Sequence, residues 1–283
     1  MVLAFVMGCD GGAPEGGNAP QGSTPAGKVA APASPKAEAG YAVGRVTMED
    51  GSPITTAGHD ITIAINGTTE VGARVSYSPP VKPDGTFRQK LAAGSYTFSF
   101  CTIEVPFEKK QYIFLLEPVG TLYKKDRDSG EGIVQDFVWK LTGPRGTSDG
   151  DVNNHTQWHG GSIGVRFGAW RNDTNKAAPD LPDGTPITFT LKPTTARQID
   201  GSDAKVVTIE RKYVARWKNC DALNNIPVAH YELSGVATLA DGKRKPLLFE
   251  VKYGKYEAAM PINFAPDPVM RNVVKPLTGW VTE

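Results

Sequence analysis

The stretch from Pro83 to Phe100 constrains the chain more than any other. Two turn signals, Asp84-Gly85 and Ala93-Gly94, bracket a short segment, because glycine takes the positive φ that tight β-turns need. Behind the second turn, Tyr96, Phe98 and Phe100 alternate with Thr97, Ser99 and Cys101. That is the period-two pattern of a half-buried strand. A chain that keeps this rhythm folds into short strands and turns, not long helices. The 31 glycines and 22 prolines among 283 residues supply the many connections such an all-β fold requires.

The rhythm runs from Tyr41 to about Gly143. Strand candidates are 41–47, 60–65, 73–77, 86–91, 95–101, 111–116 and 133–141. Ile61, Ile63 and Ile65 share one face, and a one-residue bulge would put Val134 on the face of Phe137 and Trp139. Asp50-Gly51, Asn66-Gly67, Asp84-Gly85 and Ala93-Gly94 punctuate the run. Short alternating strands at this density are the signature of a small Ig-like sandwich. Gly44-Arg45-Val46, Asp50-Gly51-Ser52-Pro53-Ile54, Asp84-Gly85-Thr86-Phe87, Leu91 and Gly94-Ser95-Tyr96 together resemble the carboxypeptidase regulatory-like, transthyretin-like domains of bacterial envelope proteins. The resemblance covers residues 41–143 and rests on turn glycines and core aromatics. It implies a sandwich and carries no catalytic residue over. One departure is the lengthened loop at 55–59.

Upstream, residues 1–9 read Met-Val-Leu-Ala-Phe-Val-Met-Gly-Cys. Val6-Met7-Gly8-Cys9 resembles the lipobox that ends a bacterial lipoprotein signal peptide, with Cys9 as the lipidated residue. The basic n-region of such a signal is missing and the apolar stretch is short. Residues 10–40 are mostly Gly, Ala, Pro, Ser and Thr, with Val29 as the one large apolar side chain. Such a segment buries too little to offset the entropy of ordering and is expected to be a disordered tether. Its root-mean-square reach is on the order of 30 Å. The expected location is the cell envelope, exported and held to a membrane by lipid on Cys9. No run approaches the ~20 apolar residues of a membrane-spanning helix. The net charge of +1 argues against nucleic acid as the partner, since such binders show a basic face or stripe.

Residues 144–161 interrupt the strands with glycines, aspartates and asparagines, the composition of a long loop. Alternation resumes at Ile163, Val165 and Phe167, at Ile187, Phe189 and Leu191, and at Met260, Ile262 and Phe264. Segments 206–214, 228–239 and 246–251 lie between. Gly94-Ser95-Tyr96-Thr97-Phe98 is echoed by Ala229-His230-Tyr231-Glu232-Leu233, and Phe137–Leu141 before Pro144 by Met260–Phe264 before Pro266. Residues 144–283 therefore read as a second, related sandwich, or as a β-rich extension of the first.

The chemistry-bearing residues gather near the interruption. Gly160-Gly161-Ser162-Ile163-Gly164 fits Gly-x-Ser-x-Gly, with Asp180, Asp183 and His230 following. A nucleophile elbow, however, joins a strand to a helix, and here the serine opens an alternating strand. His155 and His159 stand four apart, which suits zinc on a helix, but the surrounding Asn and Gly residues oppose a helix. Asp149, Asp151 and Asn153 alternate as in a calcium loop, without its glycine and closing acid. Trp158 beside His155 and His159 makes a candidate ligand contact, because an indole face stacks on the apolar face of a sugar ring. Cys101 and Cys220 can form a disulfide in an oxidising compartment or remain free thiols. The expectation is a non-catalytic envelope module that binds a glycan or protein partner or acts as a structural part, needing no cofactor and no metal. A hydrolase or metal-dependent enzyme using residues 149–162 is the alternative.

Overall fold

A computed structural model of the chain describes residues 33–54, 59–120, 125–146, 157–167, 181–213, 221–252, 255–264 and 277–282. Apart from one short 3-10 turn at Ser129–Glu131, every regular element among them is a β-strand. The chain divides into two compact units, the first built on residues 25–161 and the second on 162–264 with 276–283.

The first unit contains β1 (Tyr41–Met48), β2 (Asp60–Thr69), β3 (Arg74–Tyr77), β4 (Thr86–Lys90), β5 (Gly94–Phe107), β6 (Lys110–Leu115), β7 (Glu117–Pro118), β8 (Arg127–Asp128), β9 (Ile133–Val134) and β10 (Phe137–Trp139). One sheet runs β4-β1-β10-β7, with β9 also on β1; the other runs β3-β2-β5-β6, with β8 on β5. The inward residues are those the alternation marks: Ile63 and Ile65 on β2, Phe87 on β4, Tyr96 and Phe98 on β5, Phe137 and Trp139 on β10. Aromatic contacts join the two sheets. Phe98 meets Phe87 and Phe137 edge-on at 6.0 and 5.7 Å, and Phe114 meets Trp139 at 5.8 Å. Such pairs add about 0.5–1.5 kcal/mol each beyond the area they bury.

Three sequence expectations change here. Val134 does not join the face of Phe137 and Trp139. Ile133, Gln135, Phe137 and Trp139 are the buried set, so the alternation runs unbroken through a buried glutamine. Gln135 is tolerated because its amide donates to the Val119 and Asp136 carbonyls (3.0 and 2.9 Å) and accepts from Arg127, which offsets its desolvation. The strand 95–101 extends to Phe107 and pairs with β6 across Glu108-Lys109. Finally, residues 33–40, which composition assigns to the tether, lie against the sandwich. Ser34 Oγ donates to Asp136, the Gly40 N–H donates to Ser129 O (2.7 Å), and Arg88 grips the Glu38 carboxylate at 2.9 and 2.5 Å. The Arg88 guanidinium also sits 3.4 Å over the Tyr41 ring. Polar bonds, not apolar burial, order this stretch, which a hydropathy reading does not register.

The second unit contains β11 (Gly161–Phe167), β12 (Pro186–Pro193), β13 (Val207–Lys212), β14 (Asp221–Ile226), β15 (His230–Thr238), β16 (Arg244–Pro246), β17 (Leu248–Lys252), β18 (Lys255–Glu257), β19 (Ala259–Asn263) and β20 (Leu277–Thr282). Its sheets run β14-β11-β20-β17-β18 and β13-β12-β15-β16, with β19 on β15. Set beside the first unit, the four-strand path of each sheet repeats, and only β9 on β1 and β18 on β17 differ. β4-β1-β10-β7 corresponds to β14-β11-β20-β17, and β3-β2-β5-β6 to β13-β12-β15-β16. In both units the first strand lies parallel to the last, β1 with β10 and β11 with β20. The residue echo at Tyr96 and Tyr231 is physical. Each phenol is 1% exposed and donates to the carbonyl four residues back, Ala92 O and Pro227 O, at 3.0 Å. Burial raises both phenol pKa values, that of Tyr231 to about 12, so each keeps the proton it donates. The other echo is corrected. Phe137–Leu141 matches the chain's last strand, β20, whereas Met260–Phe264 belongs to β19 and its neighbour and pairs with β15.

Candidate functional site

The residues just after β10 and just before β11 are joined to each other and to β7 by a polar cluster. Pro144 and Trp158 form an isolated antiparallel bridge. The Arg145 N–H donates to Gln157 O (2.7 Å), the His159 N–H donates to Gly143 O (3.0 Å), and Arg145 Nε donates to the Trp158 carbonyl (2.6 Å). Beneath this bridge, Glu117 of β7 takes His159 Nε2 at 2.9 Å and the Gly146 N–H at 3.0 and 3.1 Å to its two oxygens. The His159 side chain is 3% exposed and that of Glu117 16%. Burial pushes the Glu117 carboxyl upward, but the His159 and Gly146 hydrogen bonds, with the nearby His159 and Lys140 charges, hold it below the ordinary glutamate value. Burial also lowers the Arg145 guanidinium pKa, and Glu117 opposes that shift.

This arrangement assigns two of the residues that the sequence singles out. His159 is committed to Glu117 inside the cluster, so its imidazole is a fastening and not a solvent-facing ligand contact. Trp158 is half-buried, and its backbone carries the bridge and accepts from Arg145. His155, Asp149, Asp151, Asn153, Asp180, Cys9 and Cys220 lie outside the described residues. Cys101 is a buried free thiol on β5, and burial raises its pKa. Ser162 lies within β11, 3% exposed, with a buried and unpartnered Oγ. Among the described residues, no cluster of His, Cys, Asp and Glu is arranged to hold a metal ion.

The sequence does not point to Glu117. It stands in a two-residue strand between apolar stretches, with no motif around it. A second feature is likewise unmarked: a groove of about 670 Å³ on the β3-β2-β5 sheet of the first unit, lined by Asn66, Thr68, Arg74, Ser76, Thr97 and Asp126 among others. Its residues are the polar halves of alternating strands, so period two explains them before any ligand need be invoked.

No protein-family model matches the chain, and no curated protein matches it in sequence. Three solved structures align with it distantly. A leucine-rich repeat protein from Bacteroides thetaiotaomicron aligns at 13% identity and a TM-score of 0.24, over 86% of this chain and 26% of that one. A tetra-tandem repeat from the extending region of a large adhesion protein aligns at 12% identity and a TM-score of 0.16, over 75% and 52%. The major pilin subunit of Bacillus cereus aligns at 8% and 0.21, over 86% and 99%. The chain thus spans well under two thirds of the first two. Likenesses at such scores carry no argument about this chain.

Proposed function

We propose that this chain is a non-catalytic module of the bacterial cell envelope: a lipid-bearing Cys9, a tether, and two sandwich domains in tandem, the first of the carboxypeptidase regulatory-like type. The observation that carries the reading is the repetition of both four-strand sheet paths in successive units. On such a scaffold function lies on faces and loops rather than in the fold itself. The state of the chemistry-bearing side chains supports the same reading. Ser162 sits inside a strand with its hydroxyl buried, where no substrate carbonyl reaches it, and a nucleophile elbow would expose it. His159 is occupied by Glu117. One acyl chain anchors only marginally, so the reading requires more than one on Cys9.

The test has two arms. Fused behind a basic lipoprotein n-region and produced in a bacterial host, the wild type should partition into detergent and carry lipid mass, and Cys9→Ala should lose both. Incubated with generic esterase and peptidase substrates, the chain should show no turnover that Ser162→Ala abolishes. An unmodified Cys9 removes the anchor, and turnover dependent on Ser162 makes the chain an enzyme.

A further inference from the structure

The outer face of the β3-β2-β5 sheet in the first unit presents two rows of side chains in register. Thr68 stands between Arg74 of β3 and Ser95 of β5, and Asn66 stands between Ser76 and Thr97. Asp126, immediately before β8, closes the far flank from Arg74, because β8 pairs with β5 on the side opposite β2. These residues line the groove, whose volume of about 670 Å³ falls within the roughly 300–1,000 Å³ of small-ligand sites. A cation therefore holds one edge, a carboxylate the other, and hydroxyls with one amide lie between them.

Asn66 spends an amide N–H on Ser99 Oγ at 2.6 Å, but two further observations show that the fold does not use up the rest of this polarity. The Thr97 Oγ1 is buried with no hydrogen-bond partner, a state that costs stability and that a threonine relieves by turning its hydroxyl toward a ligand. Among the described residues, neither Arg74 nor Asp126 takes part in an ion pair. The second unit provides an internal control. With Tyr231 matched to Tyr96, the positions of Asn66 and Thr97 fall on Lys192 and Glu232, which face each other across β12 and β15. There the same rung carries opposite charges at facing positions. The first unit carries neutral donors and acceptors instead.

We infer that this groove binds an acidic oligosaccharide, its carboxylate on Arg74 and its ring hydroxyls on Asn66, Thr97 and Asp126. A protein partner fits the lining poorly. Val75 is its only large apolar residue, and protein interfaces draw their binding energy from buried aromatic and apolar anchors. Sugars are read by close-set hydroxyl, amide and carboxylate groups, which this face supplies. Arg74 is an exposed guanidinium, suited to a two-pronged bond with a carboxylate.

The inference rests on the reading of the chain as a non-catalytic binding module, and the two fail separately. The experiment is calorimetric titration of the full chain with a tetrasaccharide of galacturonate and, in parallel, with neutral cellotetraose. The uronate should bind, more weakly as salt is added, and the neutral sugar at least about tenfold less tightly. Arg74→Gln and the isosteric Thr97→Val should each weaken uronate binding at least about tenfold without lowering the melting temperature, which Thr97→Val should raise by removing the unpartnered hydroxyl. Lys192→Gln, at the equivalent rung of the second unit, should leave binding within about twofold. No binding of the uronate, equal binding of the neutral sugar, or binding indifferent to both groove variants would overturn the site. Cleavage of the tetrasaccharide would instead overturn the non-catalytic reading.

Discussion

Gly85 shows how much of the first sandwich depends on one backbone position. Its φ of +78° belongs to the left-handed region, its N–H closes the turn onto Lys82 O (2.8 Å), and Asp84 Oδ1 accepts from the backbone and hydroxyl of Thr86. A Cβ at Gly85 would stand 2.4 Å from Val46 O, whereas one at Gly72, at φ +81°, would meet nothing within 4 Å. The two glycines share the conformational demand and differ in space. Gly72→Val should therefore cost on the order of 1–2 kcal/mol, the strain of a left-handed non-glycine residue. Gly85→Val should cost clearly more, because Val46 O belongs to a strand that cannot give way. Urea titration of the two variants checks this, and equal costs would mean that the β1–β4 pairing yields easily. Asp84-Gly85 was legible because a turn needs those residues. Glu117 was not, because nothing local requires an acid there: its meaning comes from His159, distant in sequence.

At the scale of the element, the hairpin between β5 and β6 turns on Glu108-Lys109, both left-handed at φ +47° and +66°. Two-residue hairpins of this hand ordinarily use Asn-Gly, since side chains are strained there. That is why the sequence shows no turn at this point, and why the strand reads as ending near Cys101. Replacing Glu108-Lys109 by Asn-Gly should stabilise the chain by about 1 kcal/mol or more, read as a raised denaturation midpoint at unchanged slope. A lowered midpoint would show that the side chains at the turn contribute more than its geometry costs. β14 was missed for a related reason. Its Asn224-Asn225 pair looks like a loop, yet Leu223, Asn224 and Ile226 are buried and Asn225 alone takes φ +67°. The fastening of the 144–159 loop supplies a pH-dependent element. Glu117 is held below its ordinary pKa when folded. Its contribution is therefore complete above about 4.5, the unfolded value, and is lost as pH falls through the lower folded value. Glu117→Gln should reduce stability at neutral pH and flatten the fall below about pH 4.5 relative to wild type. Parallel denaturation curves for the two proteins across that range would mean that Glu117 does not fasten the loop.

At the scale of the whole molecule, the two units use one plan with different residues. All-β class, turn-rich connections and a second sandwich were legible, because period two and glycine punctuation survive wherever a sheet has one buried face. The equivalence of the units was legible only at Tyr96 and Tyr231. Elsewhere the repeat is carried by which strands pair, and pairing leaves no local mark: β20, parallel to β11, closes the second unit from the far end of the chain. The tyrosines persist because each performs a specific task. Each phenol satisfies a carbonyl at the turn into the longest strand of its sheet pair, and each is sealed from water. Tyr96→Phe and Tyr231→Phe remove the same bond at equivalent places without opening a cavity. Each should cost about 1 kcal/mol, the usual net worth of an intramolecular hydrogen bond, and somewhat more where the bereft carbonyl stays dry. Native-state hydrogen exchange reads the two losses separately, in the amides of β5 for the first variant and of β15 for the second. Matching losses would show that the repeat extends from topology to energetics. A loss of about 1 kcal/mol in β5 with none in β15 would show that Tyr231 keeps the shape of the device without its function.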